Sequence, residues 1–414
     1  GFVDARSGQS YAIDDLDVEI DLPSLDDPLA VDGKLVFQDE ALAFKLGVDT
    51  PRALVEGGQS PLSLSLTGDP LDIAFDGQLS TAGEPETVGQ LSLTLPSLAS
   101  IGTWLDLTMP EGGLPVDRIS LIGTLAGTPA RIAFEGADLD VDDLEATGDV
   151  AIALDGPRPA IRARLAVGLL DLDTLLPAAE SGEQPGSAPE SAAQPTEGWS
   201  DEPIDLTALR SIDADVRIDS GGVKLRDVEA GPTVLALTLR DGILDVDLAE
   251  TGLFGGTVAV QIGANAARTV PTLRLGLQAD GVQAEPVLTS FADFDRLSGA
   301  TTAQIALTTA GGSQKAWVEA LDGTAALTFQ NGAIKGINLA AMVRNVATAF
   351  ADPTARETRQ TDFAELGGSF QIADGIARTT DLRLLAPLLR IEGNGRISLP
   401  PRTLSMRIVP KLVA

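Results

Sequence analysis

The side chains in this chain that could do chemistry are mostly carboxylates. There is no histidine and no cysteine, which excludes Cys/His zinc sites and Ser–His–Asp or Cys–His machinery. Acid–base work would fall to Asp, Glu, Lys or the one tyrosine, Tyr11. Asp138-Leu139-Asp140-Val141-Asp142-Asp143 imitates the opening of a calcium loop. Counted from Asp138, the twelfth position is Asp149 instead of a bidentate Glu, and the sixth is Asp143 where the sharp turn needs Gly. Leu139 and Val141 alternate with the acids, which reads as a solvated strand face. Asp14-Asp15, Asp26-Asp27 and Asp171-Leu172-Asp173 are pairs of the type that glycosidases set across a cleft. Three Trp and one Tyr in 414 residues do not furnish a sugar platform, and acids in turns solubilise or cap helices. Gly393-Asn394-Gly395 opens like a dinucleotide loop, but its third glycine position is Ser398 and both flanks read as strands. A P-loop lysine run and a Ser-x-x-Lys nucleophile are both absent. This inventory argues against an enzyme: no catalytic residue, no cofactor and no metal site is expected.

The elements are better marked than any chemistry. Lys plus Arg is 29 against 60 Asp plus Glu, a net charge of −31, so nucleic acid is not an expected partner. Hydrophobic residues make up 44% and aromatics only 4%, so the apolar surface is almost all aliphatic. No apolar run is long enough for a membrane-spanning helix. Strict alternation recurs instead, as in Leu62-Ser63-Leu64-Ser65-Leu66-Thr67 and Leu235-Ala236-Leu237-Thr238-Leu239. A period of two means strands with one aliphatic and one polar face. Asp76-Gly77, Asp155-Gly156, Asp241-Gly242, Asp322-Gly323, Asn331-Gly332 and Asp374-Gly375 read as hairpin turns between roughly two dozen strands.

Helical signals are few. Asn338 can cap a helix bearing Leu339, Met342, Val343, Val346 and Phe350. Pro286 can open another with Val287, Leu288, Phe291, Phe294 and Leu297 on one face. Leu98 to Leu105 and Leu172 to Leu176 read as one or two turns. A loose repeat starts at Gly89, Gly148 and Gly256; the second and third copies run strand, turn, strand, short helix. The segment 178–198 holds no large apolar side chain and reads as a disordered linker. The expected organisation is an N-terminal β segment over 1–177, a linker over 178–200 and a C-terminal β segment over 201–414. The expected fold class is mainly β: a long, curled, mostly antiparallel sheet forming an open apolar groove, with a few short helices.

One resemblance is specific. Leu321-Asp322-Gly323-Thr324, the run Asn331 to Leu339, the helix through Arg344, Thr361 to Leu366, Asp374-Gly375, Gly393-Asn394-Gly395 and Arg402-Thr403-Leu404 resemble the C-terminal region of the bacterial AsmA family. Pro203 to Leu209 and Leu170 to Pro177 are similar to two further blocks of that family. The likeness covers about residues 90–414 and is dense from 200 onward. It implies a periplasmic protein of a Gram-negative bacterium, held to the inner membrane by an anchor missing from this chain. It implies a role in outer-membrane assembly, phospholipid moving along an apolar β-groove, and an outer-membrane or periplasmic protein partner. It carries over no active site.

Phospholipid acyl chains are therefore the expected ligand. The expected lining residues are Leu91, Leu93 and Leu95; Val150, Ile152 and Leu154; Ile161 and Leu165; Leu235, Leu237 and Leu239; Val258, Val260 and Ile262; and Leu273, Leu275 and Leu277. The competing reading is a periplasmic scaffold, since alternation describes a sealed sheet face equally well. A carbohydrate-binding or adhesive β-protein would need clustered aromatics, which the chain lacks.

Overall fold

Alternating aliphatic and polar residues, interrupted every eight to twelve positions or so by turn chemistry, leave the backbone one economical way to pair its amides: each strand against its sequence neighbour. The computed structural model describes residues 2–3, 10–11, 13–104, 117–142, 144–175, 198–337 and 360–413, and it follows this rule. The chain divides into two units. The N-terminal unit is Gly1–Ser181 with Asp215–Ser220, and the C-terminal unit is Gly182–Ala214 with Gly221–Ala414.

In the N-terminal unit β1 (Phe2–Val3) pairs with β2 (Ser10–Tyr11). Ten further strands form one antiparallel series, each bonded to the next. They are β3 (Ile13–Asp21), β4 (Leu29–Phe37), β5 (Glu40–Val48), β6 (Gln59–Gly68), β7 (Leu71–Ser80), β8 (Glu86–Leu95), β9 (Ile119–Thr128), β10 (Arg131–Val141), β11 (Leu144–Ala153) and β12 (Ala160–Asp171). Short helices sit at strand ends: α1 (Pro51–Val55), α2 (Leu98–Trp104) and α3 (Leu172–Leu175). The Trp104 indole donates to Phe37 O at 2.8 Å and meets the Phe37 ring edge-on, which ties α2 to the β4–β5 turn.

The C-terminal unit repeats the plan. The end of β13 (Asp213–Leu225) forms a hairpin with β14 (Val228–Ala230). Then β15 (Thr233–Arg240), β16 (Ile243–Leu253), β17 (Gly256–Asn265), β18 (Thr272–Gln283), β19 (Leu297–Ala310), β20 (Asp322–Lys335), β21 (Gln360–Ala373), β22 (Ile376–Ala386), β23 (Leu389–Ser398) and β24 (Thr403–Leu412) pair in order, all antiparallel. Helix α4 (Ala284–Ala292) joins β18 to β19, and α5 (Gln314–Glu319) joins β19 to β20. Phe363, Leu384, Leu389 and Ile391 form a buried cluster, with Phe329, Ile334 and Leu366 packed on it.

Several turn readings need correction. Asp155-Gly156, Asp241-Gly242 and Asp374-Gly375 do turn the chain between paired strands. Asp76-Gly77 lies inside β7, where Gly77 pairs with Gly89 across two backbones too close for a Cβ. Asn331-Gly332 lies inside β20, where the two residues oppose Gly299 of β19 in a bulge and Asn331 has φ 50°. Asp322-Gly323 opens β20 after α5. Gln38 and Asp39, both at positive φ, make the unforeseen β4–β5 turn. Helix α4 starts two residues before Pro286 and stops at Ala292, because Asp293 adopts the left-handed conformation. Phe294 and Leu297 therefore fall outside it. Helices α1 and α5 were not anticipated. The helix expected over 339–350 and most of the linker expected over 178–200 lie outside the described residues.

Bulges interrupt the ladders in both units, and carboxylates support them. Where β10 shifts register after Glu135, the freed Gly136 N–H donates to Asp149 Oδ1 of the next strand at 3.0 Å. Where β21 and β22 shift, Ser369 N–H donates to Asp381 Oδ1 at 2.9 Å.

Candidate functional site

Directly paired residues of an antiparallel ladder project from the same face of the sheet, so register decides which aliphatic side chains are neighbours. In the C-terminal unit one row runs Leu237, Val246, Ile262, Leu275, Leu307, and the next runs Leu235, Leu248, Val260, Leu277, Ile305. Leu239, Leu244, Ala264 and Leu273 make a third row, and Val258 pairs with Ala279. The register thus gathers all nine expected residues of β15, β17 and β18 on one face. In the N-terminal unit Val31, Leu46, Leu64, Phe75 and Leu91 form a row, and Leu66, Ile73, Leu93, Leu121 and Leu139 the next. Leu95 pairs with Ile119, Val150 with Phe134 and Ala163, Ile152 with Ile161, and Leu165 with Gly148. Leu154 is the exception: it lies past the end of β11, outside the ladder, and is 50% exposed.

Burial varies along these faces. Most of their Leu, Val and Ile residues are half-buried: same-sheet neighbours cover their flanks and their tips stay reachable. Leu239 is buried, whereas Ile262 is 45% exposed. Among the described residues of each unit, a strand's principal contacts are its ladder neighbours and the short helices. The opposite faces carry exposed Ser63, Gln90, Arg162, Arg164, Arg274, Gln278 and Gln304.

Hollows open on the described surface, and two of them adjoin the aliphatic rows. One of about 420 Å³ in the N-terminal unit is lined by Leu79, Leu91, Leu125, Ile132, Phe134 and the flanking Pro85 and Pro129. Gly127, which stands on the aliphatic face without a side chain, lies in its lining. The other, of about 480 Å³ in the C-terminal unit, is mixed: Leu244, Ala264 and Leu273 meet Asn265, Thr308 and the Asp245–Arg274 ion pair.

Perturbed acids belong to turns and bulges. The Arg118 and Asp117 amides hold the Asp142 carboxyl below its usual range, and the Ser369 amide and hydroxyl do the same for Asp381. Asp138 and Asp140, from the calcium-like run, sit on the exposed face of β10. Among the described residues no group of acids is arranged to hold a metal ion. Sequence reasoning missed the cross-strand partners Phe75, Phe134, Leu121, Val246, Ile305 and Leu307. The same alternation, in Leu71-Asp-Ile-Ala-Phe75 and Ala303-Gln-Ile-Ala-Leu307, carried the signal for them.

Among the described residues the geometry is that of an extended aliphatic sheet surface. The AsmA family model matches residues 96–382, well over half of the chain. The chain belongs to the AsmA family. Protein AsmA of Escherichia coli (strain K12) is 22% identical over 283 residues, which cover 66% of this chain and 46% of that protein. The chain spans about half the length of this curated relative. No solved structure matches. Among the described residues of this AsmA-family chain, no helix is long and apolar enough to cross a membrane.

Proposed function

We propose that this AsmA-family chain is a non-enzymatic protein of the Gram-negative envelope that carries phospholipid acyl chains along its aliphatic sheet faces and so supports outer-membrane assembly. The observation that carries this reading is the register: rows of half-buried Leu, Val and Ile run unbroken across successive strands, with polar side chains on the reverse face. Acyl chains need no hydrogen bonds, so a surface without polar partners suits them. Headgroups stay in water beside the strand edges. Family membership supports the envelope setting. In the cell this reading places the chain in the periplasm, linked to the inner membrane, with an outer-membrane or periplasmic protein as partner.

Leu275→Asp tests the reading. On an accessible face the carboxylate reaches water and the protein stays folded, but a charge in the acyl path costs several kcal/mol of desolvation. The variant is expected to melt within a few degrees of the parent and to lose binding of a fluorescent phospholipid. A folded variant that binds lipid like the parent would overturn acyl contact at this position. An unfolded variant would show that the face is sealed core, as in a scaffold.

A further inference from the structure

Between Gly198 and Ser211 the chain runs across one end of the C-terminal unit, over the strand junctions. The Trp199 indole donates to Leu399 O at 3.0 Å in the β23–β24 turn, and the Arg402 guanidinium stacks 4.5 Å from the ring centroid. Ser200 N–H donates to Gln314 Oε1 (3.0 Å) and Lys315 N–H donates back to Ser200 O (2.9 Å), while Lys315 Nζ pairs with Asp201. Pro203 faces Ser313 in a single antiparallel bridge, and Ile204 N–H donates to Gly312 O at 2.8 Å. Arg210 then donates to Ala266 O at 2.6 Å and Arg268 O at 3.2 Å, in the β17–β18 turn. One short segment therefore spans the junctions from β24 back to β17.

Burial on the aliphatic face rises towards the end where this strap lies. Leu239, Ala264 and Ala266 are 5%, 8% and 0% exposed there, but Ile262, the next residue inward from Ala264 on the same face of β17, is 45% exposed. The strap itself is lightly held. None of its residues is buried, and its one regular element is a single 3-10 turn over Thr207–Arg210. Its ion pair is exposed on both sides (43% and 72%), and such pairs contribute little. A closure made of exposed hydrogen bonds and one stacked indole lies at the low-stability end of a fold, where moving elements are found.

We propose that the strap 199–211 is a lid that shuts one end of the C-terminal aliphatic face and swings aside to let an acyl chain pass. The proposal rests on the acyl-carrier reading of that face. A covalent lock tests it. Partners in an antiparallel bridge have Cα atoms about 4.5–5.5 Å apart, inside the range a disulfide spans. Since the chain has no cysteine, Pro203→Cys with Ser313→Cys gives one possible bond. The probe is phosphatidylethanolamine carrying a fluorophore on one acyl chain, moved between vesicles of phosphatidylethanolamine and phosphatidylglycerol. The reduced variant is expected to bind and transfer like the parent. Oxidation should leave binding intact and slow transfer at least tenfold, and reductant should restore it. Oxidised protein that transfers at the parental rate overturns the lid. So does oxidised protein that no longer binds lipid, because shutting one end leaves the rest of the face open. A parent protein that neither binds nor transfers the probe overturns the carrier reading, and the lid with it. Trp199→Ala with Arg402→Ala supplies an independent arm if the cysteine pair folds poorly. It should open the strap to protease between 199 and 211 and raise the transfer rate severalfold; an unchanged rate also overturns the lid.

Discussion

Asp381 accepts hydrogen bonds from the Ser369 N–H, the Ser369 hydroxyl and the Thr379 hydroxyl, at 2.9, 2.7 and 3.1 Å. It thereby supports the register shift between β21 and β22, and Asp149 does the same for β10 through the Gly136 amide. These two acids are thus structural: each puts a charged acceptor where a register shift frees an amide. The consequence for pH follows from sign. The Ser369 amide and hydroxyl hold the folded Asp381 carboxyl below its unfolded value of about 3.9. Its contribution to stability is fully present above about pH 4 and is lost as pH falls through the lowered folded value. Asp381→Asn is expected to unfold at lower urea than the parent at pH 7, with the gap closing towards pH 2. Urea melts at both pH values check this, and a gap independent of pH would assign the effect to geometry instead of charge.

At the scale of the strand, two glycines on one face have opposite tolerance. A Cβ at Gly89 would run into the backbone of Asp76 and Gly77. Gly89→Ala should therefore cost about 2 kcal/mol or more through a forced separation of β7 and β8. A Cβ at Gly127 would meet the Thr87 hydroxyl at 3.2 Å and the Leu125 side chain at an ordinary 3.9 Å, and Gly127 has no left-handed φ. Gly127→Leu is expected to fold, losing about 1 kcal/mol or less, and to fill the hollow lined by Leu91, Leu125 and Phe134. Thermal melts separate the two variants. Lipid binding by the folded Gly127→Leu protein should fall if that hollow takes an acyl chain.

On the whole molecule the dominant long-range term is charge. A net charge of −31 is spread over faces that carry few basic residues, and self-repulsion of this kind weakens the folded state. Salt shortens its range, to about 8 Å at physiological ionic strength and about 3 Å at 1 M. Raising sodium chloride from low to molar concentration is therefore expected to raise the melting temperature by several degrees. A melting temperature that falls with salt would mean that specific ion pairs outweigh the repulsion. The exposed pairs Lys45–Asp32, Lys411–Glu392 and Arg217–Asp219 are too solvated for that.

Alternation is a local property, so the strands, the mainly antiparallel fold and the sharing of one face by Leu235 to Leu239, Val258 to Ile262 and Leu273 to Leu277 were legible in the amino-acid order alone. The absence of histidine and cysteine likewise excluded whole classes of chemistry before any coordinate. Turn dipeptides were legible only where nothing competed. Asp241-Gly242 turns, but Asp76-Gly77 stays in β7 because neighbouring backbones can approach there, and Asn331 takes positive φ to make a bulge. The tertiary structure decided what no window of residues can contain. It set the register that joins Ile262 to Val246 and Leu275, and the closeness of Trp199 to Leu399, two hundred positions away. It also set how far each aliphatic side chain is exposed, from Leu239 at 5% to Ile262 at 45%. The physical reason is that the same alternation satisfies an accessible face or a sealed one, and only what lies above the face, a distant part of the chain or nothing, chooses between them.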